Sequence, residues 1–120
     1  MQLELVRELV GMFVERIVSE IFPDETGAAR LQQVGLFTLI FVLDDGETPV
    51  TAARLAALTG QSISQVQKQL QKLAKVGVIE RKKTLNVRGR GHAFHLKVKH
   101  TEKTKRLLNA IGKAARGRNR

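Results

Sequence analysis

The sequence contains no cysteine, no tryptophan and no tyrosine. The absence of cysteine excludes disulfides, thiolate metal ligands and cysteine nucleophiles, and it is typical of proteins of the reducing cytoplasm. Because 42% of the residues are hydrophobic but only 4% are aromatic, the core must consist of Leu, Val, Ile and Phe. The longest near-continuous apolar run, Val34 to Leu43, is too short to span a bilayer. A chain of 120 residues predicts one domain, alone or with a helical extension.

Acidic residues are scarce in the second half of the chain. Residues 1 to 60 hold 4 basic and 9 acidic residues, whereas residues 61 to 120 hold 17 basic and 2 acidic residues. The second half therefore has a net charge of +15, and the whole chain has +10. A cationic side of this size predicts a polyanionic partner. The alternative is a basic face that is only solvated.

Residues 2 to 22 have the apolar spacing of a helix. The main stripe consists of Leu3, Val6, Val10, Phe13 and Ile17. A second set broadens it, namely Leu5, Leu9, Met12 and Ile21. Since a helix that is apolar over most of its circumference contacts more than one neighbour, we expect Val6, Val10, Phe13 and Ile17 to contact a second subunit. The alternative is a central helix that the rest of one chain surrounds.

The segment Pro23 to Gly27 ends this helix and precedes a second one over residues 28 to 43. Asp44 to Gly46 are expected to form a turn. Val50 and the proline before it are expected to be extended, because the residue that precedes a proline disfavours the helical conformation.

Two capped helices follow. Thr51 and Gly60 delimit a helix over residues 52 to 58, and Ser62 and Gly77 delimit a longer helix after a tight turn. The predicted core stripe of the longer helix is Ile63, Val66, Leu70 and Leu73. Its other faces are polar, with Ser64, Gln65, Gln67, Lys68, Gln69, Gln71, Lys72 and Lys75.

Alternating apolar and charged residues predict two strands, Val78 to Lys83 and Ala93 to Val98, joined by a cationic loop over Asn86 to Gly91. Thr101 is expected to cap a final helix that carries Leu107, Leu108 and Ile111. The basic tail, Arg116 to Arg120, is expected to be disordered.

This order of elements predicts a winged helix-turn-helix, a mainly α fold with a small β-hairpin wing (α+β). We divide the chain into an N-terminal dimerisation helix (residues 1–27), a DNA-binding domain (28–100), and a C-terminal helix with a basic tail (101–120). Leu107 and Ile111 of the C-terminal helix are expected to contribute to the dimer.

A duplex groove admits a helix with one apolar side for anchoring and one polar side for reading. Side chains of Gln, Ser and Lys hydrogen-bond to base edges, and no acidic residue occurs between Glu47 and Glu80. The predicted DNA-contacting residues of this helix and its cap are Ser62, Ser64, Gln65, Gln67, Lys68, Gln71 and Lys72. We expect Arg88 and Arg90 in the loop to enter a minor groove, and Arg81 and Lys82 to bind phosphates.

The chain resembles the multiple-antibiotic-resistance regulator (MarR) family over residues 34 to 104. The matching stretches are Val50 to Ala56, Ser64 to Lys68, Leu70 to Leu73, and Gly77 to Arg81. The resemblance implies a homodimeric bacterial transcription regulator in which Ser64, Gln65, Gln67 and Lys68 read the major groove. Arg88 or Arg90 would then enter the minor groove. Asn86 stands where the family usually has an acid before the wing arginine.

The histidine and aspartate residues of the sequence do not form a recognisable metal site or catalytic site. His92 and His95 lie three apart on a strand and so point to opposite faces, and no nearby residue completes a metal site. Asp44 and Asp45 form a turn without a matched base or nucleophile. We therefore expect no catalytic residue, metal or cofactor, and nothing in the sequence supports a small-molecule effector.

Three hypotheses remain open. The first is a homodimer that binds a pseudo-palindromic duplex site by sequence and regulates transcription on the nucleoid. The second is a nucleoid or plasmid-maintenance protein, or an RNA binder, that binds nucleic acid without sequence choice. The third is a winged-helix module whose N-terminal helix joins a larger protein assembly.

Overall fold

The computed structural model describes residues 2–20, 22–23, 25–85 and 92–118. Five helices and one hairpin follow one another as α1 (Gln2–Ser19), α2 (Gly27–Leu43), α3 (Ala52–Thr59), α4 (Ile63–Val76), β1 (Ile79–Leu85), β2 (His92–Val98) and α5 (Glu102–Arg118). The mainly α winged helix-turn-helix fold with a β-hairpin is thus confirmed. None of the described helices is both long enough and apolar enough to cross a bilayer.

The predicted caps fix α3 and α4. The Thr51 hydroxyl accepts a hydrogen bond from the backbone N–H of Arg54 at 3.1 Å, and the Ser62 hydroxyl accepts one from Gln65 at 3.2 Å. Gly60 ends α3 with a φ of 76°, a left-handed conformation that only glycine adopts without strain. This glycine turns the chain sharply from α3 into α4.

Two helix ends differ from the sequence-based expectation. Helix α1 ends at Ser19, three residues before the predicted end. Near this end, the Arg16 guanidinium donates a hydrogen bond to the carbonyl of Val76 at 2.9 Å, which ties α1 to the last turn of α4. Helix α5 continues through Arg118, so the expectation of disorder from Arg116 onward was wrong for 116–118. Half-buried Ala114 and Ala115 continue the inner side of α5 and explain this extension.

The core lies where α1, α2 and α4 meet. The rings of Phe13 on α1 and Phe37 on α2 are 4.9 Å apart, and both side chains are fully buried. Ile17 is buried in the same cluster. The expectation that Phe13 and Ile17 contact a second subunit is therefore revised, because this chain's own helices already cover both side chains.

The hairpin is antiparallel, with Ile79 opposite Val98 and Lys83 opposite Phe94. The backbone N–H of Leu96 donates a hydrogen bond to the carbonyl of Val50 at 2.8 Å, so the extended segment before α3 lies against the outer edge of β2. Val50 is fully buried. This contact fixes the hairpin beside the N-terminus of α3.

Two of the three histidines have buried surroundings. The Nε2 atom of His95 lies 4.0 Å from Asp44 Oδ1, and the His100 ring packs edge-on against Phe13 at 5.6 Å. Burial and, to a smaller extent, the charge of Lys105 lower the pKa of His100, while the charge of Asp44 opposes this shift. These two histidines therefore take part in the packing of the fold.

The lowered pKa of His100 predicts a stability that depends on pH. The unfolded chain binds a proton near pH 6.5, whereas the folded chain resists it, so stability is complete above about pH 6.5 and falls as the pH drops below it. We expect His100→Gln to flatten the fall in melting temperature between pH 7.5 and 5. NMR titration of the ring should show a higher pKa in Lys105→Gln, and an unshifted pKa would contradict this account.

Candidate nucleic-acid interface

One side of α4 is exposed and free of acidic residues. The exposed residues at its cap and along this side are Ser62, Ser64, Gln65, Gln67, Lys68 and Gln71. The opposite side, with Val66, Leu70 and Leu73, is buried in the core. The helical period thus separates hydrogen-bonding side chains from anchoring ones, as the sequence predicts.

Two residues of α4 differ in burial from the prediction. Ile63 was expected in the core, but it is 49% exposed in the first turn of α4, where it lines a groove with Ala52 and Phe94. Gln69 was expected on the polar surface, but it is only 3% exposed. Its place on the helix is adjacent to Val66 and Leu73, and this edge of α4 faces α2.

A buried amide pair explains Gln69. The Gln33 side-chain nitrogen donates hydrogen bonds to Gln69 Oε1 and to Glu25 Oε1, each at 3.0 Å. Gln33 is fully buried on α2. Each of the two N–H groups of Gln33 therefore has an acceptor, which offsets the cost of burying them, while Gln33 Oε1 and Glu25 Oε2 accept no hydrogen bond from the described residues. This network links the segment before α2 to the middle of α4.

Lys72 also faces this network. Its ammonium lies 3.5 Å from Glu25 Oε2 and 5.8 Å from the centre of the Phe22 ring. The Glu25 carboxylate is completely buried, and Arg30 Nε lies 3.8 Å from its other oxygen. The structure therefore gives Lys72 an anionic partner within the chain, unlike Lys68, whose exposed side chain lies on the outer side of α4.

The base of the hairpin carries cations. The Arg81 guanidinium lies 5.6 Å from the centre of the Phe94 ring, an exposed cation–π contact. Lys82 lies 4.0 Å from the Glu80 carboxylate, a distance that gives an exposed pair little energy, and Lys83 is exposed. Arg88 and Arg90, predicted to enter a minor groove, lie outside the described residues.

A groove of about 400 Å³ joins α4 to the hairpin. Gln67 and Gln71 line it from α4, and Arg81 and Phe94 line it from the two strands. Ile63, the exposed residue of the first turn, lies beside them. Of the sequence-predicted residues, the structure thus brings Gln67, Gln71 and Arg81 together in one concave surface.

The acidic turn after α2 has a structural role. Asp45 Oδ1 accepts hydrogen bonds from the backbone N–H groups of Glu47 and Thr48 at 2.8 and 2.9 Å. These bonds lower the pKa of Asp45. Within the part of the chain that the structure describes, no group of three His, Asp or Glu side chains is placed to hold a metal ion.

The fold leaves three apolar residues on the outside of α1 that were not predicted from the sequence to contact a second subunit. Leu3 is 67% exposed, Val18 is 44% exposed and Val14 is half-buried between them. With half-buried Val10 they form one seam, because their spacings of seven, four and four residues match two turns and single turns of a helix. The helical period was the signal for this seam, but the broad apolar stripe concealed it.

Comparisons with known proteins give a likeness in fold. No protein-family model and no curated protein matches the sequence. Among solved structures, the chain is similar to one named "Possible transcriptional regulator" from Methanosarcina mazei Go1, with a TM-score of 0.51 and 15% sequence identity. The match covers 94% of this chain and 81% of that chain. At this identity the likeness concerns the arrangement of the helices and the hairpin.

The buried amide pair predicts a stability effect. Gln33→Leu removes both donors and leaves Glu25 and Gln69 without their partner, so we expect a loss of about 1–3 kcal/mol in the free energy of unfolding. Urea denaturation followed by circular dichroism measures it. The control Gln71→Leu changes an exposed glutamine and should stay within about 0.5 kcal/mol. Equal effects of the two substitutions would contradict the network.

Proposed function

We propose that the chain is a homodimeric transcriptional regulator that binds double-stranded DNA by sequence and acts on the nucleoid, in the manner of the MarR family it resembles. One observation carries this proposal: the exposed side of α4 bears only uncharged hydrogen-bonding and cationic residues beyond Ile63, next to Arg81 on the hairpin. No catalytic role is proposed.

The geometry supports reading by α4. A major groove of about 12 Å accepts one helix, and α4 presents its polar side while Val66, Leu70 and Leu73 hold its other side in the core. Gln67 and Gln71 lie one turn apart, which suits contacts with successive bases, and glutamine pairs with adenine through two hydrogen bonds. Ile63 adds an apolar group that suits a thymine methyl.

Other contacts would position the protein without reading sequence. Arg81 and Lys83 on β1 are exposed cations that suit phosphates, whereas Lys68 on α4 is proposed to hydrogen-bond to a base edge. We assign a smaller part to Lys72, since its charge already meets Glu25. Arg88 and Arg90 keep their proposed place in an adjacent minor groove.

The dimer is proposed to form through the exposed seam of α1. This seam consists of Leu3, Val10, Val14 and Val18. A second copy of α1 would bury these residues and place two copies of α4 about a two-fold axis, which fits a pseudo-palindromic site. Val6, Leu107 and Ile111 are half-buried and would contribute at the margin, whereas Phe13 and Ile17 are left out.

Selection of bound duplexes from a random pool tests the function. We expect enrichment of an inverted repeat with half-sites about one helical turn apart. On that site Gln67→Ala/Lys68→Ala should weaken binding by roughly tenfold to a hundredfold, while weak salt-dependent binding to random duplexes falls much less. An unenriched pool, or equal losses on both duplexes, would favour binding without sequence choice.

Light scattering tests the dimer. Leu3→Glu/Val18→Glu adds charge to two side chains that the single chain leaves exposed, so each chain should fold but the dimer should weaken by about tenfold or more. Leu31→Glu is the matched control, because Leu31 is 74% exposed on α2. If Leu31→Glu abolished the dimer and Leu3→Glu/Val18→Glu kept it, the interface would lie on α2 and not on α1. A monomeric wild-type chain would favour the protein-interaction module.

A further inference from the structure

Helix α5 carries a second cationic surface. Four basic residues and one asparagine form a row along its outer side, namely Lys105, Arg106, Asn109, Lys113 and Arg116. All five are exposed. At 100° per residue they lie within one third of the helix circumference, and at 1.5 Å per residue the row is about 16 Å long. We call this set the α5 row.

The α5 row is separate from the surface that reads DNA. Helix α5 packs on α1, and α1 in turn packs on α2 and α4. The reading side of α4 faces away from this core, because Val66 and Leu73 point into it. The two cationic surfaces therefore lie on different sides of the chain.

Helix stability does not explain the whole α5 row. Cations near a helix C-terminus interact favourably with the helix dipole, and this accounts for Lys113 and Arg116. Lys105 and Arg106 lie near the N-terminus of α5, where the dipole disfavours positive charge. The lowered pKa of His100, to which Lys105 contributes, shows that this positive field reaches the neighbouring segment.

The row suits a phosphate backbone better than a lipid surface. A helix that lies on a membrane buries its apolar side in the lipid. The apolar side of α5 packs against the core of the same chain through Leu107 and Ile111. Apart from Leu108, which is 44% exposed, the side chains that remain outward are mainly cationic and polar, which complements the regular negative charge of a duplex.

We propose that the α5 row binds the phosphate backbone of a second DNA segment, so that one molecule holds two duplexes. The inference rests on the proposed function for the first duplex, which α4 holds. Contacts of this kind carry no sequence information and weaken steeply with salt. The second segment is either a distant part of the same DNA or a separate duplex.

A two-duplex capture experiment tests the proposal. One duplex is immobilised, the full chain is added, and retention of a second, fluorescent duplex of mixed sequence is measured against salt. Arg106→Gln/Lys113→Gln should reduce retention by roughly tenfold or more and lower the salt slope by about 2, while binding to the first duplex stays within twofold. The control Lys99→Gln/Lys103→Gln removes the same charge from exposed residues off the row and should have little effect.

The outcomes of the capture experiment either support the proposal or overturn it. Unchanged retention in Arg106→Gln/Lys113→Gln, or an equal loss in the control, would overturn the proposal. The proposal would also fail if Arg106→Gln/Lys113→Gln lost binding to phosphatidylglycerol vesicles but still retained the second duplex. The α5 row would then bind a membrane surface. If the random-pool selection enriches no sequence but retention still depends on Arg106 and Lys113, the proposed function fails and the second site stands.

Discussion

The fold depends on the burial of one side of α4 against α2, α3 and α1. Val66, Leu70 and Leu73 are almost fully buried there, and each such side chain stabilises the folded chain by about 1.5–3 kcal/mol. Because these residues recur at the helical period, burying them forces the glutamines and lysines of α4 outward. The surface proposed to read DNA is therefore a consequence of the same packing that holds the domain together.

The buried polar groups add specificity to this packing. An apolar contact alone would let α4 rotate or slide on α2, whereas the hydrogen bonds from Gln33 to Gln69 and Glu25 fix one register. On the α1 side, the Arg16 guanidinium on the Val76 carbonyl fixes the far end of α4. These contacts come from segments distant in sequence, so the direction of α4 is set by the assembled domain.

The distribution of charge follows the architecture. Acidic residues are concentrated in the first half of the chain. Glu25 forms an ion pair with Lys72 inside the chain, and Asp45 accepts a backbone hydrogen bond in a turn. The basic second half supplies the cations of α4, the hairpin and α5. A net charge of +10 opposes self-association except through surfaces without charge, and the apolar seam of α1 is such a surface.

The sequence by itself determined the local elements and the polar side of α4, because caps, glycine stops and helical periods act within a few residues. The polar and cationic residues Ser64, Gln67 and Lys68 were found this way. Only the tertiary structure decided which side of α1 is covered. It buries Phe13 and Ile17 within the chain and leaves Val14 and Val18 on the seam. A period gives the angle between side chains on one helix, but which neighbour covers them depends on contacts between distant segments.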